Sequence, residues 1–564
     1  MLAQVAKKIL LLYHRDAQLW ICPQDWDPTD FARWNLLASK AGSWIDGTIY
    51  GPGMVTPLQT FGNSTSPAIY PVRVYPDITH SLSDQLPIPN WDPVFQVTEN
   101  REAVNPRVRT ETMIAASQKP FATAGFGAYD EGCHDDVNKH VWLAVFWGAD
   151  TVSASEEEAE APVDEHALVQ SWLREYSRLQ FSPQLEPLVL ELIYSLEKNW
   201  VGAVVGNPQV NATFALATRI MQEMTPRDRW RWRLQQLLYR ATYDKFVQLR
   251  ATIERAGEEK ALEALAQHAA TSPAKAIAAA KAALDLADAA SKGASAELWT
   301  ELRVWAEAVF QSVHQQFSVP IYGGEYTRRG ANLDLARLPL SNAPFLRRSF
   351  GNISRLPSVS AQSEQLRALA THADAGPGGF YDDLGELDAP HYVHNASSET
   401  GDQALRPTAT VSVDGPSDQH YELPPTAASV QCPPGQHCKK PKHNTEAPPT
   451  LRSDVTRARL TFVETTKCMP IYKGLPIVMR YPALPAGASY AVSVMFGSAV
   501  KAMNLTAGQG GERWLVLKEH SCDDKKKQTF AIPAEVTTKG GELELAFSAS
   551  SGLSIAEVWI KKTK

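Results

Sequence analysis

Within its first 150 residues the chain repeats one pattern: a short apolar segment, a polar or turn-forming end, then a helix-forming stretch. The apolar segments are 18–23, 44–50, 68–75 and 122–129. They run into Gln24-Asp25-Trp26, Gly51-Pro52-Gly53, Pro76-Asp77-Ile78-Thr79-His80 and Asp130-Glu131-Gly132. The stretch 28–42 between the first two is rich in Leu, Ala and Trp and predicts a helix. Repeated strand–helix units predict a parallel sheet whose functional loops follow the C-terminal ends of the strands. Four such units make half of a (β/α)8 barrel, and four parallel strands alone would leave open edges.

The pattern then changes. Residues 1–150 read as a partial (β/α)8 barrel holding its last four units, and the acidic run Glu156-Glu157-Glu158-Ala159-Glu160 marks the boundary. Residues 164–375 read as an α-helical domain. Leu168, Trp172, Leu173, Tyr176 and Leu179 share one helical face, and 230–249 is apolar nearly all round, as for a helix buried on most sides. The Ala-rich stretch 260–290 is helix broken near Ser272-Pro273, and 302–317 is a further amphipathic helix. Residues 376–455 read as loop and a Pro/Ser/Thr-rich linker, opening with a turn at Gly376-Pro377-Gly378-Gly379. Residues 456–564 return to short alternating strands at 460–465, 477–481, 490–496, 514–518, 543–547 and 555–560, the spacing of a β-sandwich. The fold class expected is thus multidomain, α/β plus all-α plus all-β.

At 564 residues the chain is long enough for three or four cores at about 150 residues each. A net charge of −7 supplies no field for a polyanion and excludes nucleic acid as a partner. No apolar run approaches the ~20 residues of a membrane helix. The run Lys7-Lys8-Ile9-Leu10-Leu11-Leu12-Tyr13 is too short for a signal peptide's apolar region and reads as the end of an amphipathic helix, so residues are expected upstream. Five N-x-S/T sequons, at Asn63, Asn211, Asn352, Asn395 and Asn504, point to the secretory pathway or the cell exterior. Cys22 and Cys133 lie in strand-like segments and read as buried thiols. Cys432, Cys438, Cys468 and Cys522 leave three pairings open. No two cysteines sit with His at a zinc-ligand spacing, so neither metal nor cofactor is expected.

The 15 Trp, 17 Tyr and 18 Phe, several of them beside Asp, Asn or Gln, suit a carbohydrate site as well as a filled core. Flat rings cover pyranose faces while carboxylates and amides bond the hydroxyls. The densest polar cluster runs from Tyr129 to Lys139. Glycoside hydrolysis needs carboxyl groups flanking an oxocarbenium-like transition state, and Glu131, Asp135 and Asp136 stand at the rim where barrel chemistry happens. Asp135 and Asp136 also suit the cap of a helix beginning near Val137. In the second cluster, around Arg73 and Tyr75, Asp77 ends the third strand with His80 one turn beyond. The pair fits a His-oriented carboxylate near a sugar hydroxyl, or an Asx-type turn after proline. Glu131 and Asp77 are the catalytic candidates. Gln24, Asp25, Trp26, Tyr50, Arg73, Tyr75, His80, Trp91, Tyr129, Asp135, Asp136 and Asn138 are the substrate-binding ones. Asp382 and Asp383 read as polar contacts on a turn or on a loop folded back towards the rim.

Leu19-Trp20-Ile21-Cys22-Pro23-Gln24, Tyr50-Gly51-Pro52, the run from Tyr70 to Ser81, the run from Glu131 to Lys139, Arg329-Gly330-Ala331-Asn332-Leu333-Asp334, the stretch from Gly376 to Gly385 and Ala556-Glu557-Val558-Trp559-Ile560 together resemble a group of large, mostly uncharacterised glycoside-hydrolase-like proteins. The likeness covers nearly the whole chain apart from 388–455. It implies a hexosaminidase-type layout: a leading domain, a (β/α)8 barrel, a helical domain and a terminal β-sandwich, of which the leading domain and the first four barrel units lie outside this sequence. If the acidic pair follows the fourth barrel strand, it too lies upstream, leaving Asp77, Glu131, Asp135 and Asp136 as binding or supporting groups. The chain departs from the group at His134, where the group carries Asn, so no role carries over to that position. The function expected is carbohydrate-active: hydrolysis of O-glycosidic bonds by carboxylic acid catalysis on a carbohydrate or glycoconjugate. The alternative is a non-catalytic carbohydrate-binding or scaffold protein.

Overall fold

The computed structural model describes most of residues 2–148, residues 164–324 and 332–384, and most of 476–563, with short strands at 408–409, 413–416, 449–451 and 463–464. It is a mixed helix-and-sheet protein with one parallel sheet and several antiparallel ones. Among the described residues no helix is long and apolar enough to cross a membrane. The acidic run at 156–160, most of the 388–455 linker, Asp25, Asn63, Asn395, Cys432, Cys438 and Cys468 lie outside the described residues.

The chain opens on α1 (Leu2–Tyr13), pinned by buried Lys7, whose ammonium reaches Asp46 Oδ2 at 2.5 Å and the Ala17 carbonyl at 2.9 Å. Strands β1 (Trp20–Ile21), β2 (Gly47–Tyr50) and β3 (Val72–Val74) form a three-stranded parallel sheet in chain order, with α2 (Pro28–Ala38) crossing between the first two. A fourth extended segment lies beside β3 through parallel bridges Val74–Phe126 and Asp77–Tyr129. The ladders are shorter than the apolar segments that mark them. Prolines bracket them: Pro71 precedes β3 and Pro76 follows it, and a residue without an N–H cannot extend a ladder. Because all four segments run the same way, Cys22, Gly51, Tyr75 and Asp130 leave the sheet at one edge.

Three helices follow or flank the sheet: α3 (Pro93–Glu99), α4 (Val108–Gln118) and α5 (Asp136–Trp147). The helical region adds α6 (Glu165–Gln180), α7 (Glu186–Asn199), α8 (Pro208–Glu223), α9 (Trp232–His268), α10 (Pro273–Ala294), α11 (Ala296–Val313), α12 (Ala343–Ile353) and α13 (Val359–Ala370). In α9 every residue from Leu234 to Asp244 is buried, whereas its second half buries only a stripe through Ala251, Glu254, Gly257, Ala261 and Leu265. Ser272 caps α10 by accepting from the Lys275 N–H, with Pro273 at the first helical position. Small residues let α9 and α10 pack closely: a Cβ on Gly257 would fall 2.2 Å from Ala287 Cβ.

One hydrophobic core joins Ile78, Trp91, Phe95, Val141 and Trp142 to Tyr176, Leu192, Trp200, Tyr239, Tyr243 and Phe310. The loops that leave the parallel strands are therefore backed by the helices. A second cluster, Trp34, Tyr50, Phe61, Val72 and Val74 among them, lies against the parallel sheet.

The C-terminal region holds two antiparallel sheets around a common core. One contains β6 (Tyr490–Phe496), β9 (Lys527–Ala531), β11 (Ser554–Lys562) and β4 (Phe380–Asp383), with the short strands 408–409 and 463–464. The other runs β8 (Glu512–Cys522), β7 (Val500–Gln509), β10 (Gly541–Ala549), β5 (Ile477–Leu484). Strands β7 and β9 add to the six read from the alternation. Strand β7 carries Ala, Asn and Gly, which signal strands poorly, yet Met503, Leu505 and Ala507 alternate into the core. Asp382 and Asp383 correct the turn expected there: they belong to β4, paired antiparallel with Glu557 and Val558 of β11. Strand β4 is an antiparallel neighbour of the chain's last strand, so its pairing lies some 180 residues downstream, where no local signal can register it.

Candidate functional site

After Pro76 the chain turns sharply. Asp77 Oδ1 accepts the Thr79 and His80 backbone N–H groups at 3.1 and 3.2 Å, an Asx-type turn, while the Asp77 N–H donates to Gln85 Oε1 at 3.0 Å. The other carboxylate oxygen lies 2.7 Å from His80 Nδ1. An acceptor there places the ring proton on Nδ1 and leaves Nε2 to face the far side. Asp77 and His80 are each 1% exposed. The Asx-type turn is therefore present, and the orientation within the pair is the reverse of a His-oriented carboxylate: buried Asp77 holds the ring from behind and His80 carries the outward atom.

Among the described residues His80 Nε2 faces two carboxylates, Glu131 Oε2 at 3.4 Å and Glu102 Oε1 at 3.7 Å. Glu131 follows the fourth extended segment. Its backbone N–H donates to Thr79 Oγ1 at 3.0 Å, and its Oε1 accepts the Tyr129 hydroxyl. Its side chain is 20% exposed, the most accessible of these acids. Thr79 in turn donates to Asp135 Oδ2 at 2.7 Å. Asp135 occupies the cap position of α5, but its side chain makes no cap bond. It is directed instead to Thr79 and to Lys139 Nζ at 3.3 Å; burial pushes its carboxyl up, against the pull of His134, Lys139 and Thr79. The structure thus assembles Asp77, His80, Tyr129, Glu131 and Asp135 at the C-terminal edge of the parallel strands.

Gln24 and Tyr75 form a second pair at the same edge, the Tyr75 hydroxyl donating to Gln24 Oε1 with Cys22 Sγ at 3.5 Å. The Tyr75 ring lies on the backbone of the second loop, where a Cβ on Gly51 would fall 2.0 Å from it. Arg73 is turned to the Trp20 ring, its guanidinium 4.5 Å from the centroid.

The other candidate residues are engaged in packing and in ties between elements. Tyr50 is buried against Phe61, with ring centroids 5.3 Å apart, and Trp26 meets Trp34 edge-on at 5.8 Å. Trp91 is 2% exposed and packs on Trp200 at 4.6 Å. Asn138 is fully buried; it accepts the Arg107 N–H at 2.9 Å and donates to the Asn105 carbonyl at 2.6 Å, fixing the loop before α4. Asp136 binds Arg233 of α9 through two bonds, 2.7 and 3.1 Å, and Tyr176 of α6 at 2.8 Å. It is a tie between α5 and the helical region. Cys133 is not in a strand but in the turn before α5, where Gln236 donates to its sulfur at 3.3 Å and burial pushes the thiol up to about 11.

Glu102 and Thr79 are the members of the cluster that the sequence reading omits. Glu102 sits in the loop after α3, away from any strand end, and Thr79 stands between two louder residues.

No known protein family and no curated protein matches the chain.

Proposed function

We propose that this is a carbohydrate-active protein of the glycoside-hydrolase-like class, its parallel strands being the last four units of a (β/α)8 barrel followed by a helical domain and a β-sandwich. The observation that carries the reading is Glu131: a partly exposed carboxylate at the C-terminal edge of parallel strands, held by Tyr129 and backed by a buried His80–Asp77 pair. A carboxylate so placed meets a sugar ring from the edge where such sheets bind ligands. Glu131 is the catalytic or transition-state-stabilising carboxylate of this reading, with Tyr129, Gln24 and Tyr75 bonding hydroxyls. Asp77 becomes a positioning residue, since both its oxygens are engaged and it is buried.

That change favours the second reading, a carbohydrate-binding protein without turnover. Glycoside hydrolysis asks for two carboxyl groups at the bond, and one of the two expected is withdrawn into the fold. The two readings part in one experiment, in which the chain is titrated with N-acetylhexosamine and uronic-acid oligosaccharides by calorimetry and assayed for hydrolysis of the same sugars. Turnover that falls by orders of magnitude in Glu131→Gln supports hydrolysis. Binding that is lost in Glu131→Gln, with no turnover in the parent chain, supports the binding protein. Neither binding nor turnover overturns both.

A further inference from the structure

We infer that His80, Glu102 and Glu131 form a binding site for a divalent transition-metal ion, zinc being the ion whose geometry fits best. One oxygen from each glutamate and one nitrogen from the histidine lie within 4.8 Å of one another. Zinc bonds of about 2.0–2.2 Å in a tetrahedron set its ligands roughly 3.3–3.6 Å apart. His80 Nε2 is 3.4 Å from Glu131 Oε2, within that range, and 3.7 Å from Glu102 Oε1, about 0.1 Å beyond it.

Glu102 supplies the independent observation. Its side chain is 9% exposed, and among the described residues Oε1 accepts no hydrogen bond although it is aimed at the site. At 3.7 Å the imidazole nitrogen is beyond hydrogen-bonding distance. A buried carboxylate oxygen with no donor is costly, and a cation on the line between it and His80 removes that cost.

The surroundings are those of a metal centre. Asp77 on His80 Nδ1 reproduces the carboxylate–histidine–metal arrangement, which orients the ring and raises the basicity of Nε2. The Tyr129 hydroxyl engages Glu131 Oε1, and Oε2 lies 3.4 Å from His80 Nε2. An imidazole in a set of three ligands disfavours magnesium and calcium, which take oxygen ligands in larger number. With three protein ligands among the described residues and Glu131 partly exposed, water or a ligand oxygen would complete the tetrahedron, as in catalytic rather than structural zinc sites. No motif announces the site, because the ligands are separated by 21 and 28 intervening residues and come from three different loops.

This inference does not rest on the carbohydrate reading. With zinc on Oε2, Glu131 is a ligand and not a proton donor, so the two are tested apart. Chelator-treated chain is titrated with zinc chloride by calorimetry, and with cobalt(II) followed by visible absorption. One equivalent of zinc should bind, with intense four-coordinate cobalt bands. His80→Ala and Glu102→Gln should abolish both, and Asp77→Asn should weaken zinc by about 10–100-fold. Circular dichroism on each variant separates loss of the site from loss of the fold; Glu102→Gln keeps the side-chain volume and is the decisive variant. Failure of the parent chain to bind zinc, or unchanged affinity in a folded Glu102→Gln, overturns the site. Sugar binding that persists in excess chelator leaves the carbohydrate reading standing by itself.

Discussion

His80 Nδ1 lies 2.7 Å from Asp77 Oδ2, and the two side chains are among the least accessible of the protein. The pair spans one turn, so the loop that ends the third strand is held by its own carboxylate while the imidazole is aimed across to Glu131 and Glu102.

Asp77→Asn keeps the shape and removes the charge that accepts three N–H groups. A hydrogen bond to a buried charged group contributes about 1.5–3 kcal/mol. The variant should lose about 2 kcal/mol or more in urea denaturation. The nitrogen resonances of His80 should also shift as the ring proton leaves Nδ1. Stability within 0.5 kcal/mol of the parent, as an order of magnitude, would show that Asp77 is dispensable to the loop.

Glu99 gives the protein a pH dependence. It is fully buried, accepts from Asn332 at 2.8 Å and lies 3.8 Å from Arg240; burial pushes its carboxyl up to about 8, against the pull of Arg240 and with Asp244 adding to the rise. In the unfolded chain the same group ionises near 4.5. Between those values the folded state holds a proton that the unfolded state has lost. Its contribution is complete below the unfolded pKa and disappears as pH rises through the folded one, by at most about 1.4 kcal/mol per pH unit. Urea melts from pH 5 to pH 8 should show stability falling with pH, and Glu99→Gln should flatten that fall. An identical slope in the variant would mean that Glu99 is ionised in the folded protein.

Asp136→Ala leaves Arg233 and Tyr176 without their acceptor. The side chains are 13% and 24% exposed at Asp136 and Arg233, so solvent screens the pair only in part. Breaking such a tie should cost about 2–4 kcal/mol, seen as a lower melting temperature. Any sugar affinity of the surviving folded protein should be unchanged, because Asp136 faces the helices. A stable variant with weakened sugar binding would return Asp136 to the site.

Much of the architecture was legible because its causes are local. The strand segment 490–496 was read from its alternation and stands unchanged as Tyr490–Phe496. The break at Ser272-Pro273 is a cap and a helix start, both written within four residues. The direction of the first four strands followed from the helical material between the first of them, and so did the edge at which Gln24, Tyr75, Asp77 and Glu131 emerge.

Roles were less legible than places. Asp136 and Asp135 are neighbours with the same chemistry, yet one binds Arg233 from 97 residues away and the other binds Thr79 from 56 away. Trp91 looks in sequence like a stacking aromatic beside Asp92, and Trp200 makes it core. Glu102 carries no signal at all until His80 stands opposite it.

The amino-acid sequence alone determined the succession of elements, their caps and breaks, and the edge of the sheet where polar groups collect, since these depend on periodicity, proline and glycine over a few residues. The tertiary structure decided which polar groups remain accessible. A carboxylate's function depends on whether a donor, a cation or water faces it, and that partner arrives from a distant segment only when the core closes.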